Sequence, residues 1–231
     1  HADVVPLMQR YRDWLTPDPE VESDPERYYD RVLRIDLSAL EPHVVGPHSP
    51  DRARPLSALA VEVAAADNGF VDAISTALIG SCTNSSYEDM SRAASVARQA
   101  LDHGLQASCP FLVTPGSEQV RATIERDGQM RALQAIGGSV LANACGPCIG
   151  QWRRDVPARP NTIVSSFNRN FPARNDGQAA TMHFIASPEV VTALALAGRL
   201  SFNPLVDTLN GHDGPYRLAP PEPAPDVPLE G

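Results

Sequence analysis

Short apolar runs alternate with longer amphipathic stretches from residue 56 onward. The pattern predicts short buried strands at residues 76–79, 111–114, 138–142 and 161–166. It predicts helices over residues 85–103, 117–135 and 188–197. Strand–helix alternation with short connections is typical of a parallel sheet that is covered on both faces. We therefore expect an α/β fold, a three-layer α/β/α arrangement with a mainly parallel sheet.

The first 55 residues follow a different pattern. Prolines within residues 1–30 are expected to interrupt regular elements, and the aromatic side chains there indicate a segment that docks onto something. Residues 31–37 alternate apolar and charged positions, which predicts a strand near a sheet edge. Residues 42–50 contain three prolines and a glycine and predict an extended loop. We expect residues 1–55 to form an extended segment that packs on a domain spanning residues 56–218.

The two ends of the chain suggest that it continues in both directions. Residues 219–231 are rich in proline and acidic, a composition that favours an extended, semi-rigid spacer. We expect this spacer to lead to a further domain. The first residue is His1 rather than Met, and no leader sequence follows it, so we expect the N-terminus to be a cut end.

Composition and charge exclude several classes of partner. The formal net charge is −9, whereas phosphate binding needs a concentrated basic face, so no nucleic-acid partner is expected. No apolar run approaches the roughly 20 residues that span a bilayer, so no membrane partner is expected. All 19 basic residues are arginine, which indicates the codon bias of a GC-rich genome. A bacterial cytoplasmic location is the expectation from this bias, with the mitochondrial matrix as the alternative.

The four cysteines are the first candidates for chemistry: Cys82, Cys109, Cys145 and Cys148. Four thiols are too few for a disulfide framework in a chain of 231 residues, so reduced thiols in a reducing compartment are expected. The C-x-x-C spacing of the last two is compatible with a redox pair, a zinc site, an iron–sulfur site or inert thiols. Spacing alone leaves these four readings open.

Three of the thiols follow predicted strands directly, as does the segment at residues 168–174. Ligands bind at the carboxyl ends of strands in open parallel sheets. Three thiolates without a fourth protein ligand would leave one corner of a metal centre open. An open metal corner can act as a Lewis acid and activate a hydroxyl or a water molecule.

The surroundings of these cysteines suit an anionic ligand. Ser85 and Glu88 have the spacing of a capping box, which would place a helix N-terminus beside the first cysteine. Three further side chains are suited to carboxylates: Asn168, Arg169 and Arg174. The alternative for the arginines is solvation at the surface or pairing with Asp176.

Three segments together resemble the aconitase family: IGSCTNSSYEDM at 79–90, ANACGPCIGQW at 142–152 and SFNRNFPARN at 166–175. The resemblance runs from about residue 32 to residue 218. It implies the third, cluster-binding α/β/α domain of a four-domain enzyme. Tyr87 and the Gln151–Trp152 pair resemble the mitochondrial type of the family more than isopropylmalate dehydratase, and the RNA-binding type is disfavoured.

The resemblance also implies a cofactor and a reaction. A cubane 4Fe–4S cluster would be held by three cysteines: Cys82, Cys145 and Cys148. Arg169 and Arg174 would bind substrate carboxylates, with Asn168 next to the cluster. The family interconverts citrate and isocitrate through cis-aconitate, a reaction of the tricarboxylic acid cycle. The expected partners are these tricarboxylates and the remaining domains of a monomeric parent enzyme.

The same resemblance predicts what the chain would lack. The family places its His–Asp pairs in the first two domains and its serine base in the fourth, so this chain alone is expected to be an inactive part of a hydro-lyase. His103 is expected to interact with a helix C-terminus, and Cys109 is expected to be a structural thiol. Two alternatives stay open: a non-catalytic metal-binding module, and a related hydro-lyase such as 2-methylisocitrate or isopropylmalate dehydratase.

Overall fold

The computed structural model describes residues 4–65, 69–155 and 159–228. The chain divides into two compact units, His1–Leu40 and Glu41–Gly231. The expected cut end at residue 1 lies outside the described residues, as do residues 229–231 of the expected spacer. The domain boundaries expected at residues 55 and 218 stay predictions.

The first unit is built from short helices. They are α1 (Val4–Arg10), α2 (Arg12–Leu15) and α3 (Pro19–Ser23), followed by a 3₁₀ turn at Pro25–Arg27. Pro17 lies between α2 and α3, and Pro19 and Pro25 each begin a short helical element, where no N–H is needed, so the prolines divide this stretch into short elements. The edge strand predicted at residues 31–37 was wrong. That stretch has no sheet partner, and its last residue, Leu37, already lies in a turn.

The second unit contains a seven-stranded sheet. Its strands are β1 (His43–Val45), β2 (Ala53–Pro55), β3 (Ile74–Gly80), β4 (Phe111–Thr114), β5 (Gly138–Val140), β6 (Asn161–Ser165) and β7 (Thr181–Ile185). Their order across the sheet is β2-β1-β7-β6-β3-β4-β5. The five strands from β7 to β5 are parallel, and β1 pairs antiparallel with both β7 and β2. The α/β fold with a mainly parallel sheet is therefore confirmed.

Five helices accompany this sheet among the described residues: α4 (Leu56–Ala64), α5 (Tyr87–Asp102), α6 (Glu118–Arg126), α7 (Gln129–Ala135) and α8 (Pro188–Ala197). The single helix predicted over residues 117–135 is broken, because Gly128 takes a left-handed φ of +89° between α6 and α7. The predicted capping box is shifted by one residue. Ser86 and Asp89 form it, while the Ser85 hydroxyl donates instead to the Ser81 carbonyl.

The two faces of the sheet pack differently. Most buried apolar side chains form one large core between the sheet and the helices, and many of them come from α5 and α8. A smaller apolar cluster lies on the other face, around Leu78 and Ile163. Cys148 and Phe167, from loops that follow β5 and β6, complete this cluster. The smaller cluster therefore ties two of the candidate loops to the sheet.

After α8 the chain forms a hairpin of β8 (Leu209–Gly211) and β9 (Gly214–Tyr216). The proline-rich stretch that follows runs along α5. The Ala219 N–H donates to Gln99 Oε1 at 2.8 Å, and the Glu222 N–H donates to Ser95 Oγ at 3.0 Å. None of the described helices has the length and apolar character needed to span a lipid bilayer.

Candidate metal and anion site

Strand order brings the three candidate segments to one edge of the sheet. Cys82 follows β3, Cys145 and Cys148 follow β5, and Asn168 follows β6. These strands lie in the order β6-β3-β4-β5 and run in the same direction. All of their carboxyl ends therefore meet at the same edge, as the sequence predicted.

The turn from β3 into the Cys82 loop has a constrained backbone. Gly80 has φ +101°, and a Cβ built there would lie 1.8 Å from the Thr114 carbonyl oxygen. The next residue, Ser81, also has a positive φ, +82°, which is rare for a residue other than glycine. The Gly80 N–H donates to Ser166 Oγ at 2.9 Å, and the Ser81 N–H donates to the Thr114 carbonyl at 3.0 Å. Backbone conformations of this kind persist only where the surroundings hold them, and they are concentrated at functional sites.

The second cysteine segment forms a 3₁₀ turn at Gly146–Ile149. The Cys148 N–H donates to the Cys145 carbonyl at 2.7 Å, so the two cysteines lie on one tight turn. Asn175 fixes this turn from the next segment, because its buried Nδ2 donates to the Pro147 carbonyl at 3.0 Å. Cys148 is buried and Cys145 is exposed.

Two polar side chains connect the first and third cysteines. Cys82 Sγ lies 3.7 Å from Thr83 Oγ1, and Asn168 Nδ2 donates to the same oxygen at 3.0 Å. At its other end, Asn168 Oδ1 lies 3.9 Å from Cys148 Sγ. The contacts therefore run continuously from the β3 loop, through the β6 loop, to the β5 loop.

The thiols fit an iron–sulfur group by their chemistry. All four cysteines are free, and three of them lie at the edge of the sheet where the parallel strands end (the loop edge). Iron–sulfur clusters use cysteine thiolates as ligands, so these three side chains have suitable chemistry. Across residues 4–65, 69–155 and 159–228, the side chains of His, Cys, Asp and Glu do not form any group of three that could hold a metal ion. The three sulfurs thus share one edge of the sheet without forming a closed coordination site.

Cys109 stands apart from this edge. It precedes β4, at the opposite end of that strand, and its Sγ lies 3.9 Å from the Ala195 carbonyl. Burial raises the pKa of its thiol to about 11. A buried thiol that stays protonated is inert, which agrees with the structural role expected from the sequence.

The two candidate arginines differ in exposure. Arg169 is exposed, and Arg174 is half-buried with its guanidinium carbon 5.1 Å from the centre of the Phe171 ring. Within the part of the chain that the structure describes, the Arg174 Nε has no hydrogen-bond partner. Asp176, the partner considered for these arginines, instead pairs with Arg154. The structure therefore removes that acid as a competitor for Arg174.

Arg154 and Asp176 form a buried ionic network that the sequence pattern does not indicate. The two side chains are 5% and 1% exposed, and Arg154 Nη2 lies 2.9 Å from Asp176 Oδ2. Arg154 also donates to Asn161 Oδ1 at 2.6 Å and to Ser75 Oγ at 3.1 Å, near the beginnings of β6 and β3. Thr181 Oγ1 donates to the same Asp176 oxygen at 2.8 Å. Arg154 follows the second cysteine motif, and Asp176 follows Arg174. The pair therefore ties both segments to the edge of the sheet where the strands begin.

His183 supports the β6 loop from beneath. Its Nε2 lies 2.6 Å from Ser165 Oγ, which accepts the Phe167 N–H at 3.1 Å at the start of the turn that leads to Asn168. Burial lowers the pKa of His183 to about 3; nearby His48 adds to this lowering, while Asp176 opposes it. The ring is therefore neutral at physiological pH.

His103 caps the end of α5 and stacks on Tyr216 with 3.6 Å between ring centres.

Acidification should destabilise the fold through His183. The unfolded chain takes up this proton near pH 6.5, whereas the buried ring stays neutral down to about pH 3, so the unfolded state binds more protons between these values. The free energy of unfolding is therefore not reduced by this group above pH 6.5, and it decreases progressively as the pH falls from 6.5 towards 3. We expect this residue to account for about 2 kcal/mol of lost unfolding free energy between pH 7 and pH 5.

The measurement is urea unfolding at both pH values for the wild type and for His183→Gln, which has no titrating ring. The difference between the two pH values should shrink by about 2 kcal/mol in the variant. An equal pH dependence in both proteins would contradict the assignment, whatever the absolute stability of the variant.

Comparison with known proteins shows which proteins this chain is similar to. The model of the aconitase family (aconitate hydratase) matches residues 5–198. The mitochondrial aconitate hydratase of Emericella nidulans is 58% identical over 197 residues, which are 84% of this chain and 25% of that protein. The mitochondrial enzyme of Saccharomyces cerevisiae is 56% identical over 91% of this chain and 26% of its own length. A probable mitochondrial aconitate hydratase of Dictyostelium discoideum is 55% identical over 86% and 26%. The chain spans about a quarter of the length of these relatives.

The relatives also correct the expected location. A bacterial cytoplasm was expected from the absence of lysine, but these similar proteins are named mitochondrial and come from eukaryotes. The names of these relatives therefore overturn the expected bacterial cytoplasmic location. Arginine usage reflects the base composition of a genome, and base composition does not identify a compartment.

Proposed function

The chain belongs to the aconitase family, and from that premise we propose that it is the cluster-binding domain of an aconitate hydratase. The family match covers more than half of the chain, and the family implies an iron–sulfur cluster in general terms. The proposed reaction is the interconversion of citrate and isocitrate through cis-aconitate. The proposed substrates are these tricarboxylates.

Three thiols would hold a 4Fe–4S cluster: Cys82, Cys145 and Cys148. One observation carries this proposal, which is the continuous run of contacts through Thr83 and Asn168 between the first and third of these cysteines. The cluster, when bound, would supply a Lewis-acidic iron with an open coordination position. The protein would contribute the fixed loop edge, where the tight 3₁₀ turn supplies two thiols and the constrained turn after β3 supplies the third.

Two arginines would bind the substrate carboxylates. A guanidinium group matches the two oxygens of a carboxylate, and neither Arg169 nor Arg174 forms an ion pair with an acid among the residues that the structure describes. Phe171 lies against the Arg174 guanidinium and would hold its plane. Asn168, which lies beside Cys148, would orient the substrate next to the thiols.

The chemistry of proton transfer would come from the remaining domains of the parent enzyme. The buried His183 is neutral and engaged with Ser165, so it is unsuited to act as a base at the loop edge. We therefore propose a division of labour in which this domain binds the cluster and the carboxylates. The chain alone is then expected to build a cluster without measurable hydratase turnover.

Replacing Cys145 with serine is expected to prevent cluster assembly. The test is anaerobic reconstitution of the 231-residue chain with ferrous iron and sulfide, followed by measurement of visible absorbance and of bound iron and sulfide. A hydroxyl is a much poorer ligand for iron than a thiolate, so the variant should lose most of the absorbance.

Cys109→Ala is the matched control. It removes one thiol, but that thiol lies away from the loop edge, so this variant should assemble the cluster like the wild type. Full absorbance in Cys145→Ser would refute the ligand assignment. An equal loss in both variants would indicate that thiol number, rather than position, decides assembly, and would also refute it.

A further inference from the structure

We propose that Thr83 is a positioning residue whose hydroxyl couples the Cys82 ligand to the Asn168 side chain. This inference rests on the proposed function, since it concerns how two members of that site are oriented. Thr83 is exposed and carries no charge, and neither composition nor strand pattern singles it out.

The hydrogen bonds at Thr83 have a defined direction. Asn168 Nδ2 donates to Thr83 Oγ1 at 3.0 Å, so the hydroxyl oxygen serves as the acceptor there. A hydroxyl has one proton of its own to donate. Cys82 Sγ, at 3.7 Å, is within reach of that proton and accepts weakly as a thiol and more strongly as a thiolate. One hydroxyl can therefore serve the amide and the sulfur at the same time.

The same hydrogen bond orients the Asn168 amide. Its Nδ2 faces Thr83, so its Oδ1 faces Cys148, at 3.9 Å from that sulfur. Metal binding deprotonates a cysteine ligand, and a thiolate has no proton to give to Oδ1. Of the two contacts that Asn168 makes with Thr83 and Cys148, the hydrogen bond to Thr83 is then the one that still fixes the orientation of the amide. Thr83 would thereby set which end of Asn168 meets the substrate.

The loop holds Thr83 in place despite its exposure. On one side, the Ser81 N–H donates to the Thr114 carbonyl at 3.0 Å. On the other side, Asn84 Nδ2 donates to the Ser166 carbonyl at 2.6 Å. Because neither anchor uses the Thr83 side chain, a variant at this residue can lose the hydroxyl without losing the loop.

Hydrogen bonds to cluster sulfurs raise the reduction potential, because they stabilise the more negative state. Thr83→Val replaces the hydroxyl with a methyl group of similar size, and Thr83→Ser keeps the hydroxyl. The reconstituted Thr83→Val chain should have a reduction potential shifted to more negative values, and Thr83→Ser should stay near the wild type. A purely structural role for the side chain would not produce this distinction.

The second readout uses the chain without iron. The side-chain NH₂ resonances of Asn168 in a ¹⁵N-resolved NMR spectrum should move in Thr83→Val and be restored in Thr83→Ser. Unchanged resonances, or an unchanged potential in Thr83→Val, would overturn the inference. If the wild-type chain assembles no cluster, the proposed function fails and this inference falls with it. If the wild type assembles a cluster and Thr83→Val matches it in either readout, only the role of Thr83 is refuted.

Discussion

Replacing Asp176 with asparagine is expected to lower the free energy of unfolding by about 3–5 kcal/mol, which is a large part of the stability of an ordinary domain. The Asp176 and Arg154 side chains are almost completely buried, and asparagine keeps the shape of the acid while removing its charge. The Arg154 guanidinium would then be a buried charge without a counter-charge. Urea unfolding followed by circular dichroism measures the loss.

Glu26→Gln provides the matched control. It breaks the ion pair with Arg34, in which the Glu26 side chain is 72% exposed and the Arg34 side chain 74% exposed. Exposed ion pairs contribute about 1 kcal/mol or less. The double variant Arg154→Met with Asp176→Leu should be less destabilised than Asp176→Asn, because no unpaired charge stays buried. A loss below about 1 kcal/mol for Asp176→Asn would contradict the assignment.

Alanine at Gly80 is expected to cost about 4 kcal/mol or more, a size reached only when a specific structural mechanism is disrupted. The new Cβ would lie 1.8 Å from the Thr114 carbonyl oxygen, and β3 and β4 cannot both keep their positions around it. The adjoining Cys82 loop should move with the strand end. The measurements are the unfolding free energy and the amount of cluster assembled on reconstitution.

Gly128→Ala separates the clash from the backbone conformation. Gly128 also has a positive φ, +89°, but a Cβ there would meet no atom within 4 Å. Its substitution should therefore cost only the conformational term, about 1–2 kcal/mol, and should leave cluster assembly unchanged. Equal losses at Gly80 and Gly128 would show that the close approach to Thr114 does not matter.

Much of the parallel sheet was predictable because its central strands are short apolar runs between breakers. Phe111–Thr114 ends at a Pro-Gly pair and was predicted at its observed bounds. Thr181–Ile185 was missed, because His183 interrupts its apolar run, and burial of that ring depends on Ser165 from a strand 18 residues earlier. Residues 31–37 show the opposite error, since their alternating pattern has no sheet partner in the structure.

The placement of the candidate site was predictable in outline, because residues that follow parallel strands must meet at one edge. The side-chain contacts across that edge were not predictable. The bond between Thr83 and Asn168 joins residues 85 positions apart, and no local periodicity encodes it. Arg154 and Asp176 likewise could not be paired from spacing, because Asn161 and Thr181 at the strand beginnings also determine where the two charges lie.

The strand order has a consequence for how this loop edge can change. Because β4 lies between β3 and β5, the roots of the two cysteine loops are two interstrand spacings apart, roughly 10 Å. Backbone hydrogen bonding sets that distance, so replacing side chains within the strands cannot change it. Anyone who wishes to bring the thiols closer together or further apart has to rebuild the loops themselves, residues 81–84 and 141–148.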